Sequence, residues 1–217
     1  MKKLSIVAIF ASVLSFSVFA EDIVLPKPAQ KAGVDVLTAI QNRQISRSFV
    51  KRTVSPADLS TILWAGLGPR GADAVSSATK ADRTISFSGD NAYINVYVLD
   101  ARGTWKYMPE SNSLKLVSSG DSRSAVSKAA IPEAAFMVLF TVNTELTPSF
   151  LKSAPAVFLQ MAHATAGFSA QNMELAASAL KMASIVQYSL TPAAAANAAQ
   201  LGKEELPLFI LQAGYTN

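Results

Sequence analysis

The chain contains no cysteine. Thiol catalysis, disulfide bridges and thiolate metal sites are therefore excluded. It has one histidine, His163, so a multi-histidine metal centre is excluded and a Ser-His-Asp triad could use only that residue. His163 lies in a strongly helical apolar stretch and reads as a helix residue without a catalytic role. Charged residues make up 16% of the chain, and no pair of carboxylates stands out by its spacing. There is no P-loop, GxGxxG, zinc motif or GxSxG. An enzyme this short of intrinsic reagents would most naturally take its chemistry from an organic cofactor.

The first twenty residues read as a signal peptide. Lys2 and Lys3 precede an apolar run, LSIVAIFASVLSFSVF, which closes on Val18-Phe19-Ala20 with small residues where a signal peptidase needs them. The expected mature chain starts near Glu21, is exported to the periplasm or cell envelope, and keeps no stable membrane anchor. Removal of the two lysines lowers the formal charge from +4 to about +2, so the high pI is partly a property of the signal. No nucleic-acid footprint remains. The remaining 21–217 is long enough for one good core and shows no linker or internal repeat.

An arm with two prolines (21–32) leads into helices near 33–42 and 56–66. Ser55 is the expected N-cap of the second, followed by Pro56 and Asp58. A Gly/Ala/Ser-rich stretch at 67–82 reads as a long loop. Alternating segments at 93–101, 104–109 and 113–117 predict a meander of three strands. A helix over 122–131 follows, and then FMVLFTV (136–142), a continuous apolar run suited to a strand buried on both faces. The longest helical signal, 155–182, carries two charges, Glu174 and Lys181. So little polar surface points to a central position or a subunit interface. A strand at 183–190, a helix at 191–202 headed by Thr191 and ended by Gly202, and a strand at 205–215 complete an α+β domain.

The most informative stretch is NRQISRSF (42–49), which sets Arg43 and Arg47 four residues apart at a helix exit. Guanidinium groups grip phosphate oxygens bidentately and stay charged at any working pH. The alternative is two solvated arginines on a polar turn. The turn at 83–98 supplies Ser86, Ser88, Gly89, Asp90 and Asn91 on backbone able to approach a ligand, or is an ordinary loop before a strand. Gly167, Gln171 and Asn172 share helical spacing, which reads first as close helix–helix packing.

In order along the chain, NRQISRSF with SPADLSTILWAGLGPRG, RTISFSGDNAYINVYVLDARGTWKYMPESNSLKLVSSGDSR, HATAGFSAQNMELAASALKM and LFILQAGYTN resemble the FMN-dependent nitroreductase family, in particular its SagB-like branch. The resemblance implies a mixed, mostly antiparallel sheet flanked by helices, and a homodimer entwined about a long central helix with FMN at the interface. It implies electron transfer from a reduced donor, NAD(P)H being the candidate, through the flavin to a small acceptor of nitroaromatic or quinone type. Arg43, Gln44 and Arg47 match the phosphate- and ribityl-binding stretch. Ser86 through Asn91, with Ser88, Gly89 and Asn91 as cofactor-binding candidates, match a turn approaching the flavin. Gln187, Tyr188 and Ser189 match the strand whose backbone faces the reactive flavin nitrogen. No residue is singled out as catalytic, and no metal is implied. The chain departs from the family at Ser86-Phe87 (Pro-Ser), Thr165 (acidic), Lys181-Met182-Ala183 (Gly-Leu-Gly) and Tyr188 or Ser189 (glycine). A second reading is therefore a nitroreductase fold that has lost FMN and serves as a binding or structural module.

Overall fold

The computed structural model describes residues 22–29, 31, 33–71, 82–89 and 91–217. The expected signal segment, Glu21, Asp90 and most of the 67–82 loop lie outside the described residues. Seven strands form one sheet in the order β1-β4-β3-β2-β5-β7-β6. They are β1 (Ile23–Val24), β2 (Ile94–Leu99), β3 (Gly103–Met108), β4 (Ser113–Ser119), β5 (Phe136–Asn143), β6 (Ala183–Gln187) and β7 (Glu205–Gly214). Every ladder between them is antiparallel. Part of the proline-containing arm is a strand: Ile23 pairs with Leu114 and closes the β4 edge.

β5 runs between β2 and β7. Phe136, Val138, Phe140 and Val142 enter one core, with α2 (Pro56–Leu67) and α4 (Pro155–Ala179). Met137 and Leu139 enter the core on the other face, with α3 (Arg123–Val126) and α5 (Pro192–Ala198). A strand side chain alternates between faces, so a strand with helices on both sides must be apolar at every position. α1 (Val36–Asn42) rests against α4, where the Ser178 hydroxyl donates to Ala39 O at 2.8 Å. α2 starts as the sequence predicts, Ser55 Oγ accepting from Asp58 N at 3.0 Å behind Pro56. Among the described residues no helix is long and apolar enough to cross a membrane.

Three helix expectations need correction. The predicted 122–131 helix is one turn, Arg123–Val126, because Ser127 is extended (φ −143°) and its hydroxyl bonds Ser189 O instead of continuing the helix. Asp121, just ahead of that turn, accepts from Arg123 N at 3.1 Å and clasps the Arg123 guanidinium at 2.7 Å. α5 ends at Ala198, before Gly202, and Thr191 at its N-cap makes no side-chain capping bond. Gly167 is not a helix–helix contact within the chain, since a Cβ built there meets nothing within 4 Å.

α4 stops three residues before its predicted end, and the stop explains one family departure. Lys181 N donates to Ser178 O and Met182 N to Ala177 O, at 3.0 and 2.8 Å. This is the Schellman arrangement, which demands a left-handed residue where glycine is usual. Lys181 occupies it at φ +59°. A left-handed L-residue costs about 1–2 kcal/mol, and glycine returns about 0.4–1 kcal/mol of that through the looser unfolded chain. Lys181→Gly is therefore expected to stabilise the protein by about 0.5–1 kcal/mol, read as a higher urea midpoint at unchanged slope. A lower midpoint would show that the lysine side chain contributes more than its backbone strain costs.

Candidate functional site

Arg43 follows the last turn of α1, and the chain beyond it is pinned to the free edge of β6. Ser184 N donates to Gln44 O at 3.3 Å, Ser46 N donates to Ser184 O at 3.4 Å, and Ile45 forms an isolated parallel bridge to Ser184. The peptide groups of 44–46 thereby satisfy an edge that would otherwise be unpaired. Phe49 then packs against Gly214, where an added Cβ would meet the Phe49 ring at 2.9 Å, and Val50 N donates to Tyr215 O at 2.8 Å. These contacts fix where both arginines leave the backbone.

Arg43 is half-buried. Its Nη1 lies 3.9 Å from Glu174 Oε1, and the Ser184 hydroxyl donates to the same oxygen at 3.1 Å. Glu174 is buried in α4. It is the site residue that the sequence reading passed over, although a lone carboxylate in so apolar a helix was the available signal. Arg47 and Gln44 are exposed, and Arg47 has no ion pair among the described residues.

β6 ends at Gln187. From Ser184 to Tyr188 the chain rises roughly 13 Å. Tyr188 is 71% exposed, its ring 5.4 Å from Phe209. No hydrogen bond among the described residues uses the backbone N–H of Tyr188 or Ser189, whereas Ser189 O accepts from Ser127 Oγ. The Gln187 side chain is occupied, bonded by Nε2 of the fully buried Gln212.

The turn before β2 does not join this group. Ser88 N donates to the Tyr93 hydroxyl at 3.2 Å, and Asn91 Nδ2 to Leu146 O at 3.1 Å. Gly89 takes φ +81° with Pro148 against its Cα. The Tyr93 hydroxyl also bonds Thr165 Oγ1 at 2.9 Å, which gives the threonine at the departing family position a local partner. β2 stands three strand spacings, roughly 14 Å, from β6. Within one chain, Arg43, Gln44, Arg47, Tyr188 and Ser189 line one edge of the sheet, and Ser88, Gly89 and Asn91 are held apart from them.

The nitroreductase family model matches residues 40–215. The chain belongs to the nitroreductase family. Membership places it among oxidoreductases. The assigned nitroreductase from Ralstonia eutropha is 22% identical, with 90% of each chain covered and a TM-score of 0.76. An assigned nitroreductase from Anabaena variabilis is 16% identical over 84% of this chain and 38% of its own, with a TM-score of 0.66. The NADPH:FMN oxidoreductase of Vibrio harveyi, solved with NAD+, is 16% identical over 84% of this chain and 69% of its own, with a TM-score of 0.58. At these identities the structures attest the fold. A search of curated proteins gave no match.

Ser184 links the arginine segment to α4, and its removal would leave the buried Glu174 carboxylate short of a donor. Ser184→Ala is expected to cost about 1–3 kcal/mol in urea unfolding, with Glu174→Gln made in the same background restoring part of the loss.

Proposed function

We propose that the protein is an FMN-dependent oxidoreductase, taking electrons from a reduced donor such as NAD(P)H and delivering them to a small nitroaromatic or quinone-type acceptor. The observation that carries this reading is the placing of Arg43 and of Arg47, the latter without an ion pair among the described residues, at one end of β6, with backbone N–H groups that no hydrogen bond among the described residues uses at the other. When bound, FMN would supply the two-electron redox chemistry that no side chain here can. Arg47 and Arg43 would hold its phosphate, Arg43 turning partly from Glu174, and Gln44 would meet the ribityl hydroxyls. The Tyr188 and Ser189 N–H groups are free to donate to a ring nitrogen, and the Tyr188 side chain would limit which acceptors reach the ring. The replacement of the family's glycine by Tyr188 or Ser189 also supports the second reading, a binding module without FMN.

Charge-assisted hydrogen bonds are worth roughly 1.5–3 kcal/mol each. Arg43→Ala and Arg47→Ala should each weaken FMN about ten- to a hundredfold in a fluorescence-quenching titration. Arg43→Lys should recover only part of the loss. Riboflavin, without the phosphate, should bind parent and variants alike. Equal FMN binding by parent and both alanine variants would remove the arginines from the site. No FMN binding by the parent would hand the case to the binding-module reading.

The working form in this proposal is a homodimer. Leu37 is 73% exposed on the outer side of α1, beside Val36 and Ile40, and Phe168 is 55% exposed on α4. Val157, Ala164 and Phe168 are spaced along one face of that helix, next to the uncovered Gly167. A second copy seated there would cover this surface and could bring its own 86–91 turn toward β6. Phe168→Glu is expected to convert a dimer to a monomer in sedimentation velocity and to reduce FMN binding with it. A parent that sediments as a stable monomer at micromolar concentration would end the dimer proposal. Export with loss of residues 1–20 is part of the same proposal, and the intact mass of the protein recovered from its host checks it.

A further inference from the structure

A cavity of about 570 Å³ opens between the 51–54 strap, the first turn of α2 and the β2–β3 turn. It shares no lining residue with the candidate site. Its volume lies in the range of small-molecule pockets, roughly 300–1,000 Å³. Leu25, Leu59, Leu114 and Phe136 form an apolar wall, each buried within the core.

The charges around it are unequally matched. Arg102 is held by Asp100 at 2.6 Å. Arg123 is held by Asp121 at 2.7 Å and donates to Ala134 O at 2.9 Å. Its hydrogen bond keeps the Asp121 carboxyl below the usual range, and Asp100 and Glu133 add their fields to the same guanidinium. Of the two lining carboxylates, Asp100 is thereby engaged, and Glu133 forms no ion pair among the described residues. Lys51 and Arg52 form no ion pair among the described residues. The Arg52 guanidinium lies 4.0 Å from the centre of the Tyr215 ring. A cation seated on an aromatic ring is held in place with its N–H groups free to meet an anion.

We propose that this cavity is a ligand site for a small apolar monocarboxylate, its hydrocarbon on the leucine–phenylalanine wall and its carboxylate on Arg52, with Lys51 adding charge. The planar fork of arginine matches a carboxylate bidentately. Asp100 and Glu133 on the same rim disfavour a more highly charged anion. Ala101 stands exposed on the β2–β3 turn at the mouth, so Ala101→Trp can block the cavity without touching the core.

Decanoate, below its micelle concentration, is the probe in calorimetric titration of the whole protein. It should saturate at one per chain and bind more tightly than decanol. Arg52→Gln should weaken it about tenfold or more, Arg52→Lys should recover part of that loss, and Ala101→Trp should abolish binding. Circular dichroism checks that each variant is folded, and Ala101→Trp decides the matter if Arg52→Gln is not. The proposal is overturned if decanoate does not saturate, or if folded Ala101→Trp binds it as the parent does, which would assign the binding to the exposed apolar face of α1 and α4.

Discussion

The burial of β5 on both faces is the constraint from which the rest of the molecule follows. Phe136 to Val142 is closed off from water, and each large side chain so buried contributes about 1.5–3 kcal/mol. A strand in that position needs a paired neighbour on each side and a helical layer above and below. β2 and β7 supply the first, and the two helix pairs supply the second. The ladder from β7 carries β6 to the edge, and β6 in turn sets where the arginine segment lies. The candidate site is therefore placed by the core, although hardly any of its residues belong to the core.

Edges are where this fold leaves backbone groups uncommitted. An unpaired strand edge is a hazard unless covered. β4 is covered by β1, and β6 is covered at one point by the chain around Ile45. The remainder of β6, through Tyr188 and Ser189, keeps donors available. It is on this edge that the proposed function lays the flavin, with its phosphate near Arg47. The Glu174 carboxylate beneath Arg43 moderates the local positive charge, so Arg47 is the less encumbered of the two cations.

The two apolar surfaces of the molecule differ in kind. The outer side of α1 and the stripe on α4 expose large aliphatic and aromatic side chains, Leu37 and Phe168 among them. The cavity beside Arg52 is concave, lined by residues already shared with the core, and ringed by charge. Area and shape separate a surface meant for a protein from one meant for a small molecule. The buried side of α4 faces the sheet, and its exposed side would be a solubility hazard if left bare.

The sequence alone was enough for the order of elements, the meander, the doubly buried strand, the capped start of α2 and the family. Those features are written in local patterns: period-two alternation, a continuous apolar run, a Ser-Pro cap and an arginine pair at a helix exit. It misjudged the helix at 122–131 because a helical-looking composition was overruled by a tertiary bond from Ser127 to Ser189. It missed β1 because a two-residue strand has no period and forms only where β4 offers an edge. The meaning of Lys181 also lay beyond it, since a left-handed backbone is imposed by how α4 must turn into β6. Most of the candidate site was legible as residue types, but not its division. Only the tertiary structure decided that Arg43 meets a buried glutamate, that Arg47 does not, and that Ser88, Gly89 and Asn91 are held three strands from Tyr188. Those outcomes depend on which strands become neighbours, and long-range pairing leaves no local mark on the residues that it separates.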